Sequence, residues 1–269
     1  IGRTGKEWAR RADALDLLLG PPAEEGLKVL GAAPGEHILD LGCGAGASTR
    51  ALADAVTGSG RVLAIDVSPD LLAQARERLS GVAQVDIVEA DAEQQVFNPA
   101  TCDALYSRFG SMFFDNPIPA LANVKSALKP GARAVFVAWR EAARNQWASV
   151  PMTFSTDGAA PQGPQAGPGP FAWADPTTFV PILEQSGFTS VAYDAFEFMA
   201  EIREGDDPDP VERAANFMMR IGPMASRMKG ASDQAKDEAR SFLRQRLARH
   251  LQLGAVHLLA SAWIITAKA

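Results

Sequence analysis

Between His37 and Arg50 the chain reads His-Ile-Leu-Asp-Leu-Gly-Cys-Gly-Ala-Gly-Ala-Ser-Thr-Arg, and no other stretch constrains the fold as tightly. Ile38, Leu39 and Leu41 make the short apolar run expected of a parallel strand covered on both faces. Gly42, Gly44 and Gly46 then remove side chains from the turn that follows. Ala47, Ala51, Leu52 and Ala55 recur at helical spacing, so the turn delivers the chain into a helix. Such a turn lets a ligand lie against backbone N–H groups at the positive end of a helix dipole. The stretch predicts a cofactor-binding loop.

Two loop types compete for it. Gly42, Gly44 and Ala47 satisfy the looser form of the dinucleotide fingerprint, which holds a pyrophosphate. Asp40, Gly42, Gly44 and Gly46 satisfy an acidic-x-Gly-x-Gly-x-Gly loop, where the acid faces the ammonium of a ligand without pyrophosphate. In the first case Asp40 would stand beside like charge. The surrounding chain has to decide.

Residues 6–19 predict a helix with Trp8, Ala12, Leu15 and Leu19 on one stripe, ended by Gly20-Pro21-Pro22, and residues 23–30 a second one. The first either packs on the sheet edge or acts as a flap over the cofactor. Apolar runs at 62–65, 85–88, 103–107 and 134–139 then alternate with helical patterns at 69–79 and 117–128. Ser68 is the expected cap of the earlier of these, with Pro69 at its first position. Lys129-Pro130-Gly131 reads as the stop of the later one. This alternation predicts a doubly wound α/β fold with a parallel sheet and right-handed crossovers, whose ligand lies outside the carboxyl ends of the strands. Asp40, Asp66, Asp91 and Ser107-Arg108 all fall at those ends.

After Arg140 the pattern changes. Residues 158–170 are dense in Gly and Pro and read as a lid or ordered loop. A helix at 178–186, a strand at 191–199, a mostly helical stretch at 208–250 and a last strand at 256–266 follow. The expected organisation is one domain over 1–269. It comprises N-terminal helices (1–32), a cofactor-binding core (33–139), cap insertions (140–176 and 201–253) and the last strand (254–267).

The 269 residues, 47% of them hydrophobic, suffice for a full core, and the net charge of −6 argues against a grip on nucleic acid. Two cysteines, Cys43 and Cys102, give no disulfide framework and suit a reducing, cytoplasmic setting. No stretch is apolar enough over a bilayer's width to predict stable membrane insertion. The first residue is Ile, so further residues are expected before it. Cys43 reads as a small turn residue, since no base stands beside it. His37, His250 and His257 fall in or near strands and helix ends, where structural roles are expected. No metal site is expected.

Taken together, Leu39-Asp40-Leu41-Gly42-Cys43-Gly44-Ala45-Gly46, Ala64-Ile65-Asp66-Val67-Ser68, Asp91-Ala92 and Ala127-Leu128-Lys129-Pro130-Gly131 resemble a class I S-adenosylmethionine-dependent methyltransferase. The run Ser107-Arg108-Phe109-Gly110-Ser111-Met112-Phe113-Phe114 and the later Gly169-Pro170-Phe171-Ala172-Trp173-Ala174-Asp175-Pro176 resemble a bacterial small-molecule branch akin to quinone-biosynthesis methyltransferases. The resemblance implies a Rossmann-like, mostly parallel sheet of seven strands, the last antiparallel, and the helical stretch before the last strand reads as a cap over the sheet's ligand edge. It implies S-adenosylmethionine as cofactor and S-adenosylhomocysteine as product. Asp66 would accept from the ribose hydroxyls. Asp91 and Ala92 would meet the adenine, and Val67 or Leu71 would pack on its face. Asp40, Gly42, Cys43, Gly44 and Gly46 would surround the methionine portion, closed by Ser107 and Arg108, with Trp8 on the N-terminal flap.

The acceptor is expected to be a small, partly apolar molecule. Phe113 and Phe114 with Arg108 would floor its pocket, and Trp147, Trp173, Met218 and Met219 would wall it. No dedicated base stands out, so alignment is the expected source of catalysis, with Arg108 the one charged candidate near the reaction. A nicotinamide-dependent oxidoreductase and a non-catalytic S-adenosylmethionine-binding module are the alternatives.

Overall fold

A computed structural model describes residues 2–155 and 167–269. Strands β1 (His37–Leu41), β2 (Arg61–Asp66), β3 (Val85–Glu89), β4 (Cys102–Arg108) and β5 (Leu128–Trp139) are mutually parallel. The final strand, β8 (Ala255–Lys268), lies antiparallel between β5 and β6 (Thr189–Ile202). Across the sheet the order is β3-β2-β1-β4-β5-β8-β6. The expected seven strands are joined by a two-residue eighth, β7 (Leu251–Gln252), which forms a hairpin with β8.

Order reverses between β1 and β4, so the strand ends there open a crevice. The crossover helices α3 (Ala47–Val56), α4 (Pro69–Arg78) and α5 (Pro117–Ser126) match the sequence reading closely. Ser68 caps α4, its Oγ accepting the Leu71 N–H at 3.5 Å, with Pro69 in the first turn. Lys129-Pro130-Gly131 is a correction: α5 ends earlier, and these residues lie inside β5. There a bulge separates the Cys102–Leu128 pair from the main register, which starts at Ala104–Arg133.

At the N-terminus, α1 (Gly2–Ala9) is followed by α2 (Ala12–Leu30), which runs unbroken through Gly20-Pro21-Pro22. The expected break is overridden by packing. Gly20 offers no Cβ to the following ring, which relaxes the usual pre-proline clash. From the second proline onward, Pro22, Ala23, Gly26 and Leu30 are buried. Burial of this face outweighs the two missing N–H donors. Tyr106 Oη donates to the Ala23 carbonyl at 2.9 Å. A Cβ built on Gly26 would lie 2.7 Å from Val137 Cγ2 and 3.1 Å from Tyr106 Oη. Gly26→Ala is therefore expected to cost about 1–3 kcal/mol in urea unfolding; an unchanged midpoint would mean that α2 does not sit this closely on the sheet.

Alternate residues of β5 serve opposite faces. Val137 meets α2, while Phe136 meets Phe188 and Trp173, which in turn stacks on Phe179 of α7 (Pro176–Gln185). Trp173, expected in a pocket wall, is thus a core residue, 2% exposed. Helix α6 (Gln146–Met152) runs past the end of β5 along the open side of β8. Between β6 and β8 stand α8 (Pro210–Met218), α9 (Pro223–Arg227) and α10 (Asp233–Leu247), where a helical stretch was expected. Residues 158–166 of the expected Gly- and Pro-rich lid lie outside the described residues.

Candidate active site

At the end of β1, Asp40 is fully buried. Its Oδ2 accepts from Ser48 Oγ at 2.9 Å and Thr49 Oγ1 at 2.7 Å, while its Oδ1 has no partner. Burial pushes the carboxyl up from 3.8 to about 6, against the pull of Thr49, Ser48 and the Arg108 charge. An unpartnered carboxylate oxygen in such a place is costly unless something cationic or donating meets it. Ser48 and Thr49 were missed by the sequence reading. Their signal was two hydroxyls in the first turn of a helix whose loop carries an acid.

The three loop glycines, all at positive φ, serve different ends. A Cβ on Gly42 would come within 2.9 Å of Gly110 Cα, so β1 and β4 approach each other backbone to backbone. A Cβ on Gly46 would press on Leu79 and Ala75 of α4 at 3.0 and 3.2 Å. At Gly44 a Cβ would meet nothing within 4 Å, so this glycine fronts open space. Cys43 is buried, and burial pushes its thiol well up, which suits a packing residue better than a nucleophile.

Asp66, at the end of β2, ties the loop to the next turn. Its Oδ2 accepts the Gly44 N–H at 2.9 Å and its Oδ1 the Ser68 N–H at 2.8 Å. Burial raises this carboxyl, and the Ser68, Gly44 and Val67 amides pull it back down. Val67 is 44% exposed beside it, whereas Leu71 is covered by Ala9, Ala12, Ala45 and Trp8. Asp91 is exposed after β3, its Oδ1 accepting the Glu93 N–H at 3.0 Å, while Ala92 is in the core.

Ser107 is buried and donates to the Leu41 carbonyl at 3.0 Å, sharing a second hydrogen bond of 2.7 Å with Ser111. Arg108 departs from the expected pocket floor. Its Nη2 lies 3.5 Å from Asp16 of α2, which also holds Arg78 at 2.8 Å, and Arg78 reaches the Ala45 carbonyl at 3.3 Å. The two arginines thereby fasten α2 over the loop, a contact between residues too distant in sequence to be foreseen.

Helix α1 closes the same mouth. It lies on α4 closely enough that a Cβ on Gly5 would reach Ser68 Oγ at 2.5 Å, and Trp8 meets Phe113 edge-on at 5.8 Å. Arg11, 6% exposed, lies 2.6 Å from Glu7 and 2.8 Å from Glu204, joining the N-terminal helices to the β6–α8 connection. Of the acceptor-pocket candidates, Phe113 is 39% exposed and Phe114 half-buried. A run of rings leads from β4 toward the insertion. Phe109 stacks on Trp139 at 4.3 Å, Trp139 meets Trp147 at 5.0 Å, and Trp147 stacks on Phe171 at 5.6 Å. Met218 is buried in α8 and Met219, after it, is half-buried.

Residues 38–131 match the family described as a methyltransferase domain. A demethylmenaquinone methyltransferase of Clavibacter sepedonicus is 39% identical over 101 residues, 38% of this chain and 40% of that protein. A ubiquinone/menaquinone biosynthesis C-methyltransferase of Ectopseudomonas mendocina is 32% identical over 132 residues, 48% of this chain and 52% of that one. The matched stretch spans about half or less of each relative's own length. In structure, the chain resembles a SAM-dependent methyltransferase from Aquifex aeolicus with a TM-score of 0.50 at 23% identity, covering 70% of this chain and 86% of that one.

Proposed function

We propose, on the match of residues 38–131 to a methyltransferase domain, that the chain is an S-adenosylmethionine-dependent methyltransferase acting on a small, partly apolar molecule. S-adenosylmethionine would be the donor and S-adenosylhomocysteine the product. The observation that carries this reading is Asp40, whose buried Oδ1 lacks a partner beside the glycine loop. The methionine ammonium is a group that would satisfy such an oxygen, directly or through water. A pyrophosphate there would meet a second negative charge, which disfavours the nicotinamide alternative. Gly44 leaves room for the ligand, and Asp66 keeps acceptor capacity on both oxygens for the ribose hydroxyls.

When bound, the cofactor supplies a methyl group on a sulfonium, whose transfer leaves a neutral thioether. The chain's own part is alignment and exclusion of water. Ser107 and Ser111 hold the ends of β1 and β4 together under the loop, and α1 with Trp8 covers the mouth. Phe113, Phe114 and Phe171 would offer the acceptor an apolar wall, backed by the buried Trp139 and Trp147 and completed by Met219. The names of the quinone-pathway relatives support an acceptor of that apolar kind. Arg108, held by Asp16, would act on the field around Asp40 rather than on the acceptor.

Calorimetry with S-adenosylmethionine, S-adenosylhomocysteine and NAD(H) tests the assignment. The first two are expected to bind and NAD(H) not to. NAD(H) binding at comparable affinity would sink it.

A further inference from the structure

At the tip of the β7–β8 hairpin the chain breaks a local rule. Gln252 pairs with Ala255, so the turn has two central residues, Leu253 and Gly254, with φ of 50° and 82°. Two-residue turns with both φ values positive favour Asn-Gly, because a bulky side chain is strained in the left-handed region. Leu253 bears that strain while fully exposed, at 104% of its reference area, so its side chain contributes no packing to the fold. Strain without internal compensation points to a role outside the chain.

Its surroundings say what kind of partner fits. Leu251, in the same hairpin, is 44% exposed. Just before it, Arg246, Arg249 and His250 line a cleft of about 250 Å³ between α6 and the end of α10. Arg240 and Arg244 of α10 are paired with Glu212 and Asp209, but Arg246 and Arg249 have no carboxylate partner among the described residues. A chain of net charge −6 thus carries two arginines without carboxylate partners, Arg246 stacked on Phe242 at 5.3 Å, beside two exposed leucines of which Leu253 is strained. Apolar tips flanked by arginines match the acyl boundary and phosphates of an anionic lipid surface. The hairpin leads into the start of β8, which pairs with the end of β6 through Val256 and Ile202, so it stands at the sheet's carboxyl edge, where the candidate site also lies.

We infer that the β7–β8 hairpin docks the protein on anionic membranes, with Leu253 and Leu251 entering the interface and Arg246 and Arg249 meeting lipid phosphates. The inference does not depend on the reaction catalysed. Flotation of the full chain with phosphatidylcholine vesicles, with and without phosphatidylglycerol, tests it. Binding is expected to the anionic vesicles and to fall by about tenfold in Leu253→Asn, which removes a buried leucine from the interface. That variant relieves the turn, so its thermal midpoint should equal or exceed the parent's. Arg246→Gln with Arg249→Gln should weaken binding by roughly tenfold or more and abolish the preference for anionic lipid. Equal binding of parent and Leu253→Asn would overturn the proposal, as would absence of binding to anionic vesicles. Leucine-dependent self-association by light scattering, without vesicle binding, would assign the hairpin to a second copy instead.

Discussion

Asp66→Ala is expected to lower the affinity for S-adenosylmethionine by about a hundredfold or more. The carboxylate has two tasks at once. It presents oxygens to the proposed ribose hydroxyls, and it already receives the amides of Gly44 and Ser68. A charge-assisted hydrogen bond contributes roughly 1.5–3 kcal/mol, so losing two to the ligand accounts for the figure. Loss of the Gly44 bond would add a looser loop. Ser68 still caps α4 through its own hydroxyl, so the fold should persist by circular dichroism. Asp66→Asn separates the two tasks. It keeps one acceptor oxygen for a loop amide but turns a donor toward the hydroxyls or the other amide, and should fall between parent and Ala. If Asp66→Ala binds cofactor as tightly as the parent in calorimetry, the ribose does not lie at this strand end.

What the sequence disclosed and what it hid divide along the range of the interactions. The β1 loop, Asp66 at a strand end and the Ser68-Pro69 start of α4 are decided within a few residues, by backbone sterics and capping, and were legible. Gly20-Pro21-Pro22 was misread because a local break signal competes with burial of the α2 face on β4 and β5, which only the folded chain supplies. Trp173 was misread for a similar reason. A tryptophan in an irregular segment has the same local pattern whether it lines a pocket or packs on Phe136 and Phe179. Arg108 turned to Asp16, ninety-two residues away, and no pattern near Arg108 announces that partner. The β7–β8 hairpin was hidden because Leu253-Gly254 lacks the usual turn dipeptide.

Cofactor binding is expected to weaken about tenfold for each pH unit below about pH 6, and this dependence should vanish in Asp40→Asn. The free protein raises the Asp40 carboxyl from 3.8 to about 6, because burial penalises the charge more than Ser48 and Thr49 compensate it. The sign for stability follows from that direction. A carboxyl raised in the folded state favours folding while protonated, so its contribution is complete below about pH 3.8 and is lost as pH rises through about 6. The loss amounts to roughly 3 kcal/mol. Cofactor binding has the opposite sign. An ammonium at Oδ1 requires the ionised form, so below about pH 6 the ligand must also displace a proton. Asp40→Asn keeps a neutral group of the same shape, and the cofactor-free variant should hold its urea midpoint between about pH 4 and pH 7, the range in which the parent loses stability, apart from drift shared with the parent. Its affinity should drop by roughly tenfold to a hundredfold through loss of one charge-assisted bond. The two measurements fail separately. A flat stability profile in the parent would mean that Asp40 is not strained by burial. A flat binding profile beside a sloping stability profile would place the ammonium away from Asp40.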